Sequence, residues 1–111
     1  MYLNLMILQL YMTIVYITCK DNKEAKAISK HLLDKRLIAC ANIHPIESLY
    51  RWEGSIKQES EAVIIAKTQE KHYKAIKQEV KKLHSYDIPC ILKIKAGCNE
   101  EYGKWIEKET S

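Results

Sequence analysis

The chain has no phenylalanine, only three glycines and only two prolines. Without Phe, its large core residues must be Ile, Leu, Tyr and Trp. No linker, low-complexity tract or simple repeat interrupts it, so its 111 residues fit one domain around one core. The four cysteines, Cys19, Cys40, Cys90 and Cys98, show no CxxC spacing and no dense disulfide framework. An export signal is also missing: residues 1–11 are apolar but lack a basic n-region and a small-residue cleavage site. They are shorter than the roughly 20 apolar residues that cross a bilayer. Free thiols in a reducing, cytoplasmic setting are therefore expected. Met12 can begin a protein of its own, so 1–11 are expected to be an extension outside the fold, leaving 12–111 as the single domain.

No sign of charge dominates. Eighteen basic residues stand against 14 acidic ones, a net charge of +4, and Lys is interleaved with Glu. That argues against nucleic acid or a membrane as partner. A Gly-rich phosphate loop, a nucleophile elbow and an HExxH helix are all absent. Asp21, Glu53 and Asp87 are too scattered to argue a carboxylate pair. Nothing in the residues themselves signals an enzyme.

What is present is periodic. Residues 13–19 (TIVYITC) are rich in β-branched side chains and read as a buried strand. Asp21 stands three residues before Glu24, the spacing of a capping box. Ala25, Ile28, Leu32 and Leu33 share one face of the helix that follows, which should end near Arg36. Residues 38–54 (IACANIHPIESLYRWEG) form a long arm that contains Pro45 and closes on a Glu53-Gly54 turn. Polar residues 55–61 return into the apolar run AVIIA at 62–66, so arm and return read as a hairpin. Strands usually run to about five or six residues. The arm is therefore expected either to bend at Pro45 or to pair its far half with another chain.

Thr68 is placed to cap a second helix over 69–84, with Tyr73, Ile76, Val80 and Leu83 in one stripe. Pro89 ends that segment. Residues 91–96 alternate as a strand closed by Gly97. Asn99 opens a last short helix carrying Tyr102, Trp105 and Ile106, in which Gly103 is unfavourable. The order strand, helix, strand, strand, helix, strand predicts an α+β, ferredoxin-like βαββαβ sandwich with a long hairpin between its second and third strands and a C-terminal helix.

With the usual strand order 4-1-3-2, the end of strand one, the end of helix two and the start of strand four meet at one end of the sheet. Cys19, His84 and Cys90 then make a soft-metal constellation, since thiolate and imidazole favour Cu(I), Zn and related ions. The competing reading is that the cysteines are small core residues. His31, His44 and His72 are scattered and suit surface or turn roles. Tyr50, Arg51, Trp52 and Glu53 cluster near the hairpin tip, where they fit either a ligand-lined cleft at a subunit boundary or plain oligomer packing. The lysines of helix two (Lys71, Lys74, Lys77, Lys81) read as a solvated face, because the aromatics of an RNA-recognition sheet are missing.

Residues 36–43 (RLIACANI) and 46–54 (IESLYRWEG) resemble the signature of the CutA divalent-cation-tolerance family. IAKT at 65–68, LHSYDIP at 83–89 and YGKWI at 102–106 resemble its later landmarks, and the resemblance spans about 13–109. It implies a tight homotrimer whose hairpins pair between subunits, and a non-enzymatic role in metal tolerance that binds copper or another divalent cation. The architecture is also similar to PII-type signalling trimers. That implies an alternative, a sensor holding an anionic effector between subunits, lined by Tyr50, Trp52, Glu53, Lys67, Tyr86 and Trp105. The chain departs from the family in places. Ile17 stands where some relatives have cysteine, Leu83 where some have a second histidine, Ser85 where proline is usual, and Cys90 where glutamate is frequent. Cys19, His84 and Cys90 are thus this chain's own candidate ligand set; a protein partner is left open.

Overall fold

In the computed structural model, which describes residues 10–111, the chain alternates between a single four-stranded sheet and helices, the first two of which pack on one of its faces. The elements are β1 (Leu10–Cys19), α1 (Asn22–Asp34), β2 (Cys40–Trp52), β3 (Ser55–Thr68), a 3-10 turn (Glu70–His72), α2 (Tyr73–Leu83), β4 (Ile91–Cys98) and α3 (Glu100–Glu109). The strand order is β2-β3-β1-β4 and every pairing is antiparallel. This is the ferredoxin-like sandwich expected from the element order. Residues 1–9 of the expected extension lie outside the described residues. Leu10 and Tyr11 belong to the sheet, paired with Cys98 and Gly97 of β4.

Alternation on the central strands decides the core. Val15, Ile17 and Cys19 of β1 lie opposite Ala66, Ile64 and Ala62 of β3, and all six are buried. They meet Ala25, Ile28 and Leu32 of α1 and Ile76 and Val80 of α2. Each fully buried Ile or Leu contributes about 1.5–3 kcal/mol relative to exposure. The other face of the sheet carries Ile14, Tyr16 and Ile65, half-buried, beside Leu92 and Ile94, about half exposed.

α1 starts as expected: the Asp21 side chain accepts from the Glu24 N–H at 2.8 Å. It ends in a Schellman arrangement, with Arg36 N–H on the Leu33 carbonyl and Leu37 N–H on the Leu32 carbonyl. Arg36 takes the left-handed position, at φ 56°, that glycine usually fills.

The hairpin departs from both expectations for it. β2 runs through Pro45 without a break, and its far half pairs with the same chain, Tyr50 with Lys57 and Trp52 with Ser55. β3 therefore begins at Ser55. The polar stretch is held by cross-strand side-chain bonds, Ser60 Oγ to Glu47 at 2.6 Å and Tyr50 OH to Glu59 at 2.9 Å. Glu53 and Gly54 both have positive φ, 49° and 83°, as a two-residue I′ turn requires. The arm stretches the molecule to 58 × 28 × 21 Å.

Thr68 is not a helix cap. It is the buried last residue of β3, and its hydroxyl donates to the Leu37 carbonyl at 2.6 Å. A 3-10 turn then precedes α2, which stops at Leu83 with His84 as its C-cap. Gly103 sits inside α3 for a packing reason: a Cβ there would lie 3.0 Å from both Cys98 Sγ and Leu10 Cδ1. Among the described residues no helix is long and apolar enough to cross a membrane.

Candidate functional site

The topology brings the end of β1, the first turn of α1 and the end of α2 together at one end of the sheet. There one ligand atom each from Cys19, Glu24 and His84 lie within 4.8 Å of one another. Cys19 ends β1 facing the helices and is fully buried. The His84 side chain is fully buried and that of Glu24 is 9% exposed.

The ring nitrogens of His84 and both carboxylate oxygens of Glu24 are already engaged. His84 Nε2 lies 2.7 Å from the Thr18 carbonyl, and Nδ1 accepts the Tyr86 N–H at 3.0 Å. A backbone N–H can only donate, so Nδ1 carries the lone pair and Nε2 the proton. Nε2 also faces Glu24 Oε1 at 3.8 Å. Glu24 Oε1 accepts from Lys20 N–H at 3.0 Å, and Oε2 from Ser85 N–H at 3.1 Å. Burial pushes the Glu24 carboxyl up, but the hydrogen bonds from Lys20 and Ser85 and the nearby His84 outweigh it, leaving it below the ordinary carboxylate range. Burial, then the charges of Glu24, Asp21 and Glu61, push the Cys19 thiol up to about 12.

The donor chemistry fits a metal ion, with thiol, imidazole and carboxylate converging. Binding one must displace hydrogen bonds already made. Of the sequence-derived ligand set, Cys19 and His84 are brought together. Cys90 is exposed and lies outside this cluster; its carbonyl accepts from the N–H of Thr18, the residue before Cys19, at 3.3 Å. Glu24 was the residue not anticipated. Its capping-box spacing was visible, but its reach to Ser85 is created only by the fold.

The candidate cleft residues do not converge within one chain. Tyr50, Trp52 and Glu53 are at the arm's tip. Tyr86 lies against the His84 ring, centroids 4.8 Å apart, and donates to Glu61 at 2.5 Å. Burial first, then that bond, raises its phenol. Lys67 lies over the Tyr102 ring, which stacks on Trp105. From Ser55, opposite Trp52, to Lys67 is about 40 Å of strand. Tyr50 OH is held by Glu59, which raises its phenol.

The sequence profile of the CutA1 divalent ion tolerance protein family matches residues 13–109. The chain is 43% identical over 100 residues to the divalent-cation tolerance protein CutA of Pyrococcus horikoshii, covering 89% of this chain and 98% of that one. Among solved structures, it is similar to the periplasmic divalent cation tolerance protein CutA from Archaeoglobus fulgidus, with a TM-score of 0.88 and 39% identity over 90% of this chain and 99% of that one. It is also similar to CutA1 from Oryza sativa, with a TM-score of 0.88 and 32% identity over 93% of this chain and 96% of that one.

Proposed function

This chain belongs to the CutA1 divalent ion tolerance family, and from that membership we propose that it binds copper or a similar divalent cation in metal tolerance, without catalysis, as a homotrimer in the cytoplasm. The observation that carries the reading is the convergence of Cys19, Glu24 and His84 within 4.8 Å at the end of the sheet. Cys19 supplies a soft donor once its thiol is deprotonated, and His84 a ring nitrogen. Glu24 supplies an oxygen that offsets the cation's charge.

Two apolar surfaces support assembly. Leu92 and Ile94 leave one sheet face about half exposed, and the arm leaves Leu49, Ile56 and Trp52 more than half exposed. Apolar surface of this kind marks contacts. The cytoplasmic setting rests on the four cysteines, which stay available as thiols where conditions are reducing.

Copper and zinc titration by calorimetry, on the wild type and on a Cys19→Ser, His84→Ala variant, tests the site. The variant should lose the tight site. Equal affinity and stoichiometry in both proteins would overturn the assignment.

A PII-like sensor is the second reading, favoured by the aromatic and charged groups left apart along one chain. Tyr50, Trp52 and Glu53 of one subunit could meet Lys67, Tyr86 and Trp105 of another only in an assembly. A thermal-shift screen of nucleotides and organic acids tests it: stabilisation at saturation supports it, and none with any ligand counts against it.

A further inference from the structure

The two backbone N–H groups that open the segment after α2 both end on candidate ligands. Ser85 N–H is held by Glu24 Oε2 at 3.1 Å, and Tyr86 N–H by His84 Nδ1 at 3.0 Å. The segment and a cation therefore compete for the same atoms. If His84 ligates through Nδ1, it gives up the lone pair that Tyr86 N–H now uses. If it ligates through Nε2, the ring proton moves to Nδ1 and faces the Tyr86 N–H, donor against donor. Either way Tyr86 N–H loses its acceptor. Glu24 has lone pairs enough for an N–H and a cation together, but a carboxylate whose charge is drawn to a cation is the weaker acceptor for Ser85.

We propose that residues 85–90 are a cation-operated latch, closed on Glu24 and His84 in the free protein and released when Cys19, Glu24 and His84 ligate a divalent cation. The inference rests on the metal reading above and adds Glu24 as both third ligand and latch keeper. Two further contacts limit how far the segment moves. Tyr86 OH on Glu61 tethers one side, and the Cys90 carbonyl on Thr18 N–H fixes the far end. Between them lie exposed Asp87 and Ile88, the latter 79% exposed. Release would present this stretch differently to a partner in the loaded and free forms. The carboxylate also sets the class of ion: a thiolate, imidazole and carboxylate set suits a borderline divalent ion of the Zn2+ kind better than Cu(I).

Amide hydrogen exchange of the full chain, in chelator and then saturated with Co2+ or Zn2+, tests the latch without any variant. Exchange at Ser85 and Tyr86 should speed up by about tenfold or more on loading, while amides of β1 and β3 keep their protection. Unchanged or slowed exchange at both amides overturns it. Co2+ reports the site separately through its thiolate charge-transfer band. Glu24→Gln should weaken Co2+ binding by about tenfold or more, and wild-type affinity in that variant would remove Glu24 from the site. If the band survives in the Cys19→Ser, His84→Ala variant, or never appears in the wild type, the metal reading itself fails and the latch with it. If the band needs both residues yet Ser85 and Tyr86 stay protected, the metal reading stands and the latch alone falls.

Discussion

His84 and Thr18, 66 residues apart in sequence, are joined by a 2.7 Å hydrogen bond from the ring Nε2 to the backbone carbonyl. The bond pins the end of α2 to β1 one residue before Cys19. It makes His84 a structural residue before any cation arrives. The same ring receives the Tyr86 N–H, so its removal orphans a carbonyl and an amide at once.

His84→Ala should therefore destabilise the protein by about 2–4 kcal/mol even in chelator, from two unpaired groups and a cavity left by a fully buried ring. Urea unfolding measures it. A loss below about 0.5 kcal/mol, the scale of an exposed substitution, would mean that the ring holds nothing together.

The four thiols should separate sharply by reactivity. Cys90 is exposed, whereas Cys19 is fully buried and its thiol is pushed up to about 12, by burial first and then by Glu24, Asp21 and Glu61. Thiolate is the reactive form, and at neutral pH Cys19 holds almost none of it. In the metal-free native protein a maleimide should label Cys90 in the first phase, with Cys19 labelled only in denaturant. Mass spectrometry of the peptides assigns each site. Labelling of Cys19 as fast as Cys90 would show that this end of the sheet is open.

The element order and strand order could be read because apolar periodicity marks β1, α1, α2 and β4, and a ferredoxin-like sandwich has one usual strand order. The arm's far half could not. Residues 55–61 lack apolar alternation, and what makes them a strand is cross-strand pairing such as Ser60 with Glu47, invisible until both strands are placed. Cys19 and His84 were legible from topology, since each lies at a strand or helix end. Glu24 was hidden by its own clear local role: a capping spacing explains the residue without its contact to Ser85, 61 positions away. Cys90 was placed at the correct end of the sheet, but position along the chain does not say which way a side chain faces.

α1 and α2 are joined by one carboxylate. Glu79 of α2 lies 2.7 Å from His31 Nε2, 3.4 Å from Lys35 and 3.2 Å from Lys82. The His31 contact first, then Lys82, carry its pKa down to about 2. A folded-state value below the unfolded one means that the stabilisation is fully present above about pH 4.5 and is lost as pH falls through about 2. Glu79→Gln should flatten the acid limb of stability within that window and change it little between variants once both are below it. Urea midpoints measured from pH 2 to 6 check this. Parallel pH profiles for variant and wild type would show that the cluster adds nothing to stability.

The open sheet face supplies the last prediction. Leu92 and Ile94 of β4 lie beside Tyr16 and Ile14 of β1, and with Ile65 of β3 they form an apolar surface that one subunit leaves only partly covered. If the proposed trimer buries this face, a charge there must be desolvated in the assembly but not in the monomer. A Leu92→Glu, Ile94→Glu variant should then lose assembly while its monomer keeps the fold, because neither side chain belongs to the buried core. Sedimentation velocity reads the first outcome and circular dichroism the second. A variant that sediments as a trimer would place the subunit contact elsewhere, with the hairpin arm the next surface to mutate. A monomeric variant with native circular dichroism would tie assembly to the sheet face and separate it from the Cys19, Glu24 and His84 cluster, whose residues lie on the helix side or at the end of the sheet.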